Sequence, residues 1–407
     1  MNIFSLAYQS LIHKPLHSSL SLLATAMGIA MLSAVFLISN GISDGLKRNA
    51  GGIDVVVGAK GSPLQLILST VYHTDVPIGN ISMEEYEELE KNPMVKSAIP
   101  LAMGDNYKGW RIIGTTPEYP ELYNATLSEG KMFQSEFEVV AGSATDVKIG
   151  DEFSARHGFA ADSDDIHDDE HFRVVGKMEP TGTVIDKLFL TSISAVQDVH
   201  KHGHEEDRHE EEHHEEEHHD HDEHAGQITA ILIKARNGAA LMNLPRMINQ
   251  DGHVQATNPA FEMTKLSKNF GVGRDVINAL GASILILSVL MLFSMLASSL
   301  TERRHDMAVL RVLGARPSTL FLTLMVEGIM VAGFGSLVGI IAGHSMAYSL
   351  TGLLGSFEGV LTRGDLLSLH PSDIYLLLTG CAAGLLAAFP AALSAAKTDI
   401  ARLLLKG

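Results

Sequence analysis

The chain has 407 residues and a formal net charge of −18, and its only cysteine, Cys381, excludes an internal disulfide bond. Two short acidic runs carry most of this charge, so the remainder is nearly neutral and has no basic stripe for a nucleic-acid partner. No G-x-x-x-x-G-K-[ST] loop, nucleophile elbow or H-E-x-x-H motif occurs, so we expect a non-catalytic chain that does not hydrolyse ATP itself.

Four apolar runs are long enough to cross a membrane as helices, which takes about 20 consecutive apolar residues. Residues 18–43, 276–301 and 374–396 contain no Asp, Glu, Lys or Arg, and residues 317–356 contain only Glu327. A cleaved signal peptide is the alternative interpretation of the first run, but the run is long for that role and lacks an obvious small-x-small cleavage site before the soluble part. We therefore predict an α-helical membrane protein with four transmembrane helices, at residues 18–41, 276–300, 318–350 and 372–396.

Lys and Arg are distributed unevenly among the links between these spans. Four arginines lie between the second and third spans, and the C-terminal tail adds two lysines and an arginine. The link between the third and fourth spans has only Arg363, which Glu358 and Asp365 offset. Because short cytoplasmic loops are enriched in Lys and Arg, the pattern predicts cytoplasmic termini. The predicted cytoplasmic segments are 1–17, 301–317 and 397–407, and the predicted extracytoplasmic segments are 42–275 and 351–371.

Residues 42–275 have the pattern of an extracytoplasmic α+β domain. Short β-branched runs such as DVVVGA and FEVVAG are separated by Gly, Pro, Asn and Asp, which is typical of strands joined by turns. The segment SMEEYEELEKNP begins with Ser82 and has Glu85 three residues later, a capping box that predicts a short helix. Two acidic, histidine-containing loops, 161–171 and 200–224, are predicted to interrupt this domain.

The second of these loops holds ten of the chain's 20 histidines among twelve acidic residues. Several histidines are four residues apart, which on a helix puts two imidazoles on one face, and imidazole favours zinc over magnesium or calcium. Mutual repulsion of the acids favours a disordered free segment, so we expect several exchangeable Zn²⁺ sites and no tightly bound cofactor. A solvated charged insertion without metal is the alternative. The candidate ligands are His200, His202, His204, His209, His213, His214, His218, His219, His221 and His224, together with His167 and His171 from the first loop.

The link between the second and third spans reads ERRHDMAVLRVLGA (302–315) and combines an apolar helical stripe with arginines. A basic amphipathic turn on the membrane surface is one interpretation. The stretch also closely resembles the coupling helix of the FtsX/MacB-like permease family, although Met307-Ala308 replaces the usual Ile-Gly and His305-Asp306 the usual Arg-Glu. That resemblance implies docking into a partner ATPase. The residues it implicates are Glu302, Arg303, Arg304, Met307, Leu310, Arg311, Leu313 and Gly314.

The resemblance extends over nearly the whole chain. The opening YQSLIHKPLHSSLSLLATAMGIAM is similar to the family's amphipathic N-terminal helix and first span, FEVVAGSATDVKIGDEF to its MacB-like core domain, and FPAALSAAKTDIARLL to its C-terminal signature. The resemblance implies a type VII ABC transporter permease in a bacterial inner membrane, with its large domain in the periplasm. Such permeases pair as two copies with two ATPase subunits and transmit ATP-driven motion to the outside domains.

The third predicted span carries a glycine stripe and one acidic residue. Gly335, Gly339 and Gly343 form a G-x-x-x-G-x-x-x-G pattern that allows close approach of another helix. The pattern leaves packing within the chain and pairing with a second permease copy equally open. Glu327 lies about 15 Å into the span, so it must face a partner or water. Structural packing and a proton or substrate relay are its two interpretations.

Three functional hypotheses follow. The first is an ABC permease serving zinc or other divalent-metal homeostasis through the His-rich loop, with the core domain acting on a periplasmic or lipoprotein partner. The second is an ABC permease of the same kind that serves lipoprotein release or drug efflux. In this hypothesis the histidines have no functional role. The third is an FtsX-like scaffold that transports nothing and activates a periplasmic hydrolase.

Overall fold

The computed structural model describes residues 3–13, 15–158, 166–206, 226–302, 314, 316–353 and 367–396. The chain forms two compact units. The membrane unit takes residues 1–41, 269–355 and 363–407, and the α+β unit takes residues 42–268 and 356–362.

The helices of the described residues are α1 (Ile3–His13), α2 (Pro15–Ala50), α3 (Pro63–Thr70), α4 (Met83–Glu90), α5 (Ile193–Glu206), α6 (Gly238–Asp251), α7 (Pro259–Glu302), α8 (Pro317–Leu353) and α9 (Pro371–Ala396). Four of them are long and apolar enough to cross a membrane, at Ser18–Ala50, Gly273–Ser298, Pro317–Thr351 and Pro371–Ala396. Each of these four helices begins with proline, whose fixed φ and missing N–H suit the first helical position. The prediction of four transmembrane helices is confirmed.

Helices α2 and α7 are longer than the apolar runs that predict them. The sequence predicts a first span ending at residue 41 and a second beginning at 276, whereas α2 continues to Ala50 and α7 begins at Pro259. An apolar run marks the length of chain that suits hydrocarbon, and a helix continues beyond it where other contacts support it. The additional segments pack apolar side chains in the core of the α+β unit, namely Leu46, Ala50, Met263 and Leu266.

The strands are β1 (Val55–Gly58), β2 (Ile81–Ser82), β3 (Val95–Tyr107), β4 (Trp110–Gly114), β5 (Leu127–Gly130), β6 (Glu138–Ala141), β7 (Glu152–His157), β8 (Ile166–Met178), β9 (Leu188–Thr191), β10 (Gln227–Ile228), β11 (Ala230–Ala235) and β12 (Gln255–Thr257). A mixed sheet runs in the order β12-β1-β11-β3-β4-β9-β6-β8-β5, with β7 bonded to β3 and β8, while β10 pairs with β2. The β4–β9 and β6–β8 pairs are parallel. This arrangement confirms the predicted α+β domain between the first two spans.

The first strand shows how the sheet is covered on both faces. Val55 and Val57 belong to one buried cluster and Val56 to another, since alternate side chains of a strand lie on opposite faces. The accessible surface of all three residues is 0 %. Their continuous apolar run therefore reflects burial on both sides of the sheet.

Helix α4 begins where the capping pattern predicts a helix. The Ser82 hydroxyl accepts a hydrogen bond from the Glu84 backbone N–H at 3.1 Å, and the helix ends at Glu90. A serine cap of this kind satisfies one of the N–H groups that the first turn leaves without a helical partner. The predicted short helix is confirmed.

The first acidic segment is partly a strand. The sequence predicts a loop over 161–171, but the structure has residues 166–171 in β8. Ser154 of β7 pairs with His171 in the antiparallel ladder. Ladder pairing outweighs the low strand propensity of acidic residues, because propensity is a weak preference that tertiary contacts override. The prediction of a loop is wrong for residues 166–171, and residues 159–165 lie outside the described part.

A polar cluster lies in the α+β unit around His73. The Nε2 atom of His73 lies 2.9 Å from the Tyr119 hydroxyl, which lies 3.2 Å from the Tyr123 hydroxyl. The Nδ1 atom of His73 is buried and has no hydrogen-bond partner among the described residues. Burial, reinforced by the positive charge of Arg111, lowers the pKa of His73 to about 3. The imidazole is therefore neutral near pH 7.

We expect His73 to make the α+β unit less stable as the solution is acidified. The pKa is 6.5 before folding and about 3 after it, so below pH 6.5 the unfolded chain binds a proton that the folded one does not. Stability present above pH 6.5 is therefore lost toward pH 3, by at most about 1.4 kcal/mol per pH unit. Urea unfolding of the full chain, followed by the fluorescence of Trp110, measures this slope. His73→Asn should flatten it and the exposed control His253→Asn should not; equal slopes would contradict a buried neutral imidazole.

Candidate functional site

The predicted ATPase-contact segment lies mainly outside the described residues. Glu302 is the last residue of α7, and Gly314 lies in the turn before α8. Gly314 has φ 99°, a left-handed conformation that favours glycine. Arg303, Arg304, Met307, Leu310, Arg311 and Leu313 lie outside the described part of the chain, and docking of this segment into an ATPase stays a prediction.

The candidate zinc ligands fall in three places. His200, His202 and His204 lie in the last turns of α5, and His167 and His171 lie in β8. Residues four apart in a strand are separated by about 13 Å, so the last two do not form the close pair that the same spacing gives in a helix. The remaining seven lie outside the described residues: His209, His213, His214, His218, His219, His221 and His224. Among the residues that are described, no group of three or more His, Cys, Asp or Glu could hold a metal ion.

The glycine stripe of α8 packs against α2 of the same chain. A Cβ atom on Gly339 would lie 2.6 Å from the Ala26 carbonyl oxygen, and one on Gly343 would lie 2.6 Å from the Ser33 Cβ. A Cβ atom on Gly335 would lie 2.9 Å from a threonine Cβ of α2. Real Cβ atoms do not approach so closely, so the helices meet at these positions because the side chains are absent. Of the two interpretations of the stripe, the structure shows packing within the chain.

A second close contact joins α8 to α9. A Cβ atom on Gly384 would lie 2.5 Å from the Gly328 carbonyl oxygen, and one on Gly328 would lie 2.7 Å from the Gly384 carbonyl oxygen. Glu327 precedes Gly328 in α8, and only 2 % of its surface is exposed. Enclosure of its carboxyl group by packed helices favours the packing role over an open relay.

An ionisable pair that the sequence analysis missed also joins α8 to α9. The Nε2 atom of His344 lies 3.2 Å from Oδ1 of Asp373, and both side chains are buried. The other carboxylate oxygen accepts a hydrogen bond from the His370 backbone N–H at 2.8 Å. Asp373 thus caps the first turn of α9 through the His370 backbone and at the same time contacts His344 of α8. His344 lies near the end of α8 and Asp373 near the start of α9, so the signal available in the sequence was one ionisable residue on each side of the link between the third and fourth spans.

Two buried side chains bind the end of α2 to the core of the α+β unit; we call them the α2 anchor. The Tyr72 hydroxyl donates to the Leu46 carbonyl oxygen at 3.1 Å. The Asn49 Oδ1 atom accepts from the Val184 backbone N–H at 2.8 Å, and its amide donates to the Gly45 carbonyl oxygen at 2.9 Å. Asn49 and Tyr72 are 1 % and 2 % exposed, so water does not compete for these hydrogen bonds. The anchor therefore holds the last turns of α2 against the sheet domain.

Helix α7 begins in the same core as the end of α2. Met263, 7 % exposed, belongs to the buried cluster that also contains Ile53 and Tyr72. The Glu262 carboxylate lies 2.9 Å from the Lys265 ammonium. The end of α2 and the beginning of α7 are therefore parts of one buried cluster of the α+β unit.

Two family models match the chain. Residues 18–247, more than half of the chain, match the MacB-like periplasmic core domain. Residues 278–400 match the FtsX-like permease C-terminal region. The first match covers the first span and most of the α+β unit, and the second covers the last three spans.

Curated relatives resemble the chain over shorter stretches. The lipoprotein-releasing system transmembrane protein LolC of Xylella fastidiosa strain 9a5c is 28 % identical over 144 residues, which is 35 % of this chain and 32 % of LolC. LolC of Neisseria meningitidis serogroup B is 31 % identical over 78 residues, 19 % of each chain. The chain thus spans about a third or less of the length of these relatives.

Two solved structures resemble part of the chain. The periplasmic region of MacB from Actinobacillus actinomycetemcomitans has a TM-score of 0.33 and 13 % identity, covering 54 % of this chain and 97 % of that region. The extracellular domain of the noncanonic ABC-type transporter YknZ from Gram-positive bacteria has a TM-score of 0.30 and 9 % identity, covering 50 % and 99 %. On its family matches, the chain is a multi-pass inner-membrane protein with a periplasmic domain and belongs to the ABC transporter permeases that combine a MacB-like periplasmic core domain with an FtsX-like permease region.

Proposed function

We propose that the chain is the permease subunit of a type VII ABC transporter and transmits the motion of a separate ATPase to its periplasmic domain. The supporting observation is that α2 and α7 each run without a break from a membrane-crossing stretch into the core of the α+β unit. Both helices contribute to one buried cluster. A displacement of either helix therefore strains the packing of that cluster unless the whole domain moves with the helix.

The proposed complex needs a partner subunit that hydrolyses ATP. Membership of the ABC permease family implies an ATPase partner, and we assign the segment 302–314 as its contact. The chain itself is proposed to be non-catalytic and to work as two permease copies, identical or different, with two ATPase subunits. Its periplasmic domain acts on a periplasmic or lipoprotein partner.

We assign this machinery to zinc or other divalent-metal homeostasis. The support is the ten histidines between residues 200 and 224, in a segment that belongs to the periplasmic domain. The twelve acids of the same segment are sufficient to keep an insertion soluble, so they do not account for the histidines. Imidazoles with neighbouring carboxylates can complete exchangeable zinc shells, suited to capture and release of the metal.

Total cellular zinc tests this assignment in chelator-limited cells that lack the chain and are complemented with variants. One variant replaces the ten histidines of 200–224 by asparagine and keeps the acids. The matched control replaces the twelve acids by glutamine and keeps the histidines. We expect the wild type to restore cellular zinc fully and the acid variant largely, while the histidine variant stays at the level of the deletion strain.

Equal zinc in all strains would remove the zinc assignment and leave the permease in place. The favoured function would then be lipoprotein release, which the LolC relatives are named for, or drug efflux. The histidines would have no role in either. A scaffold that activates a periplasmic hydrolase is the remaining alternative. It predicts cell-wall or division defects in the deletion strain with no change in any transported species.

A further inference from the structure

Strand β3 has an open edge within the sheet. Residues 95–101 of β3 pair with β11, but β4 pairs with β3 only from Ala102 onward. Just beyond the end of β4, the Thr115 hydroxyl still reaches β3 and donates to the Pro100 carbonyl oxygen at 3.0 Å. No described strand pairs with residues 95–99 on this side.

Backbone groups of Lys96 and Ala98 face the open side. Successive residues of a strand direct their N–H and C=O groups to opposite edges. The Leu101 carbonyl oxygen accepts from the Thr229 N–H at 2.7 Å, on the β11 side, so the Pro100 carbonyl faces the other way. Lys96 and Ala98 share the direction of Pro100. They offer two donors and two acceptors about 7 Å apart, the repeat that a pairing strand requires.

The open edge lines a cleft of about 1190 Å³ in the α+β unit. Residues 96–99 contribute the edge, and Thr116 and Glu118, which follow β4, also line the cleft. Tyr86 of α4 contributes a further part of its lining. The divergence of β4 from β3 therefore leaves space beside an unpaired edge, which is the geometry that strand addition uses.

Two lysines lie near this edge, on opposite faces of the sheet. Lys96 lies on it, and Lys234 of β11 lies opposite Ser97. Both lysine side chains are exposed and line the cleft, and neither forms an ion pair with a residue that the structure describes. Lysine on an edge ordinarily discourages pairing with another strand. A strand that carries carboxylates opposite Lys96 removes this cost, because opposite charges across a strand pair are favourable. The lining of the cleft is net basic, with Lys47, Arg48, Lys96 and Lys234 against Glu90, Glu118 and Glu121.

We propose that the cleft binds an extended acidic segment of a periplasmic polypeptide, which adds as a strand to the open edge of β3. Hydrogen bonds to the backbone of Lys96 and Ala98 supply affinity, and the ammonium group of Lys96, on the edge itself, selects carboxylates on its face of the added strand. The site depends neither on zinc nor on the ATPase, so it stands apart from the proposed transport function.

Fluorescence anisotropy with the full chain in lipid nanodiscs tests the proposal. The probe is a fluorescein-labelled capped peptide, Thr-Glu-Val-Glu-Val-Glu-Thr, and the reference peptide carries lysine in place of glutamate. A third peptide keeps the glutamates but is N-methylated at alternate residues, which removes the donors that strand pairing needs. We expect the acidic peptide to bind at least about tenfold more tightly than either of the others. Lys96→Glu should weaken it by a similar factor, and the exposed control Lys148→Glu should not.

Three results would overturn the proposal. One is the absence of saturable binding of the acidic peptide at millimolar concentration. Another is equal binding of the N-methylated peptide. This result would mean that charge alone attracts the probe and that any anion, including a lipid phosphate, could bind in the cleft. The third is equal loss in Lys148→Glu and Lys96→Glu, which would place the attraction on the whole surface of the unit.

Discussion

Gly339→Ala is expected to destabilise the membrane unit by about 1–3 kcal/mol, the usual cost of overpacking. The added Cβ atom would lie 2.6 Å from the Ala26 carbonyl oxygen, and a backbone atom cannot move aside as a flexible side chain can. The helices α2 and α8 would have to separate along the stripe. Thermal unfolding of the purified chain in detergent, with folded protein counted by size-exclusion chromatography, measures the effect.

Gly333→Ala is the matched control in the same helix. A Cβ atom there would meet only the Cys381 sulfur at 3.6 Å, an ordinary van der Waals separation, so its melting temperature should stay close to that of the wild type. If Gly339→Ala left stability unchanged but shifted the chain from dimer to monomer, the stripe would be an interface between copies. Equal melting temperatures without such a shift would contradict the close contact between α2 and α8.

Removing the α2 anchor is expected to uncouple ATP hydrolysis from the periplasmic output. Asn49→Ala combined with Tyr72→Phe leaves the buried Val184 N–H without its acceptor, which costs about 1–3 kcal/mol. The ATPase should still bind and hydrolyse ATP, because its predicted contact lies at residues 302–314. Cellular zinc should fall toward the level of the deletion strain.

Amide hydrogen exchange distinguishes this uncoupling from general unfolding. We expect faster exchange in the last turns of α2 and around Val184, with β1 and β11 as protected as in the wild type. Tyr86→Phe is the control, since its hydroxyl bonds to the exposed side chain of Glu90 at 3.1 Å and to no other residue that the structure describes. Unchanged exchange at Val184 in the double variant would show that the two side chains do not hold the helix.

The sequence predicts the membrane-crossing helices well because one physical cause dominates them. Hydrocarbon excludes charge, so long runs with at most one Asp, Glu, Lys or Arg mark the spans directly. The same signal cannot predict that α2 continues to Ala50, because the polar residues Asn40, Ser43 and Asp44 end the apolar run without ending the helix. Packing of Leu46 against a domain that forms later in the chain sustains those turns.

Contacts between distant residues account for what the sequence analysis missed. The α2 anchor joins residues 26 and 135 positions apart, and no local pattern around Asn49 or Tyr72 marks them as partners. The strand conformation of residues 166–171 likewise depends on β7, which lies outside the acidic run. The glycine stripe predicts that some helix approaches closely, but the choice of α2 depends on tertiary structure.

The unbroken length of α2 and α7 has a mechanical consequence. At 1.5 Å per residue, their 36 and 44 residues span about 54 and 66 Å. Over such a length, a tilt of about five degrees at the cytoplasmic end carries the periplasmic end through about 5 Å, roughly one helical turn. In the proposed transmission of motion, helix length therefore sets how far the periplasmic end moves. Because each residue turns the helix by about 100°, deleting one residue would change that distance little but would rotate the anchored face away from its partners.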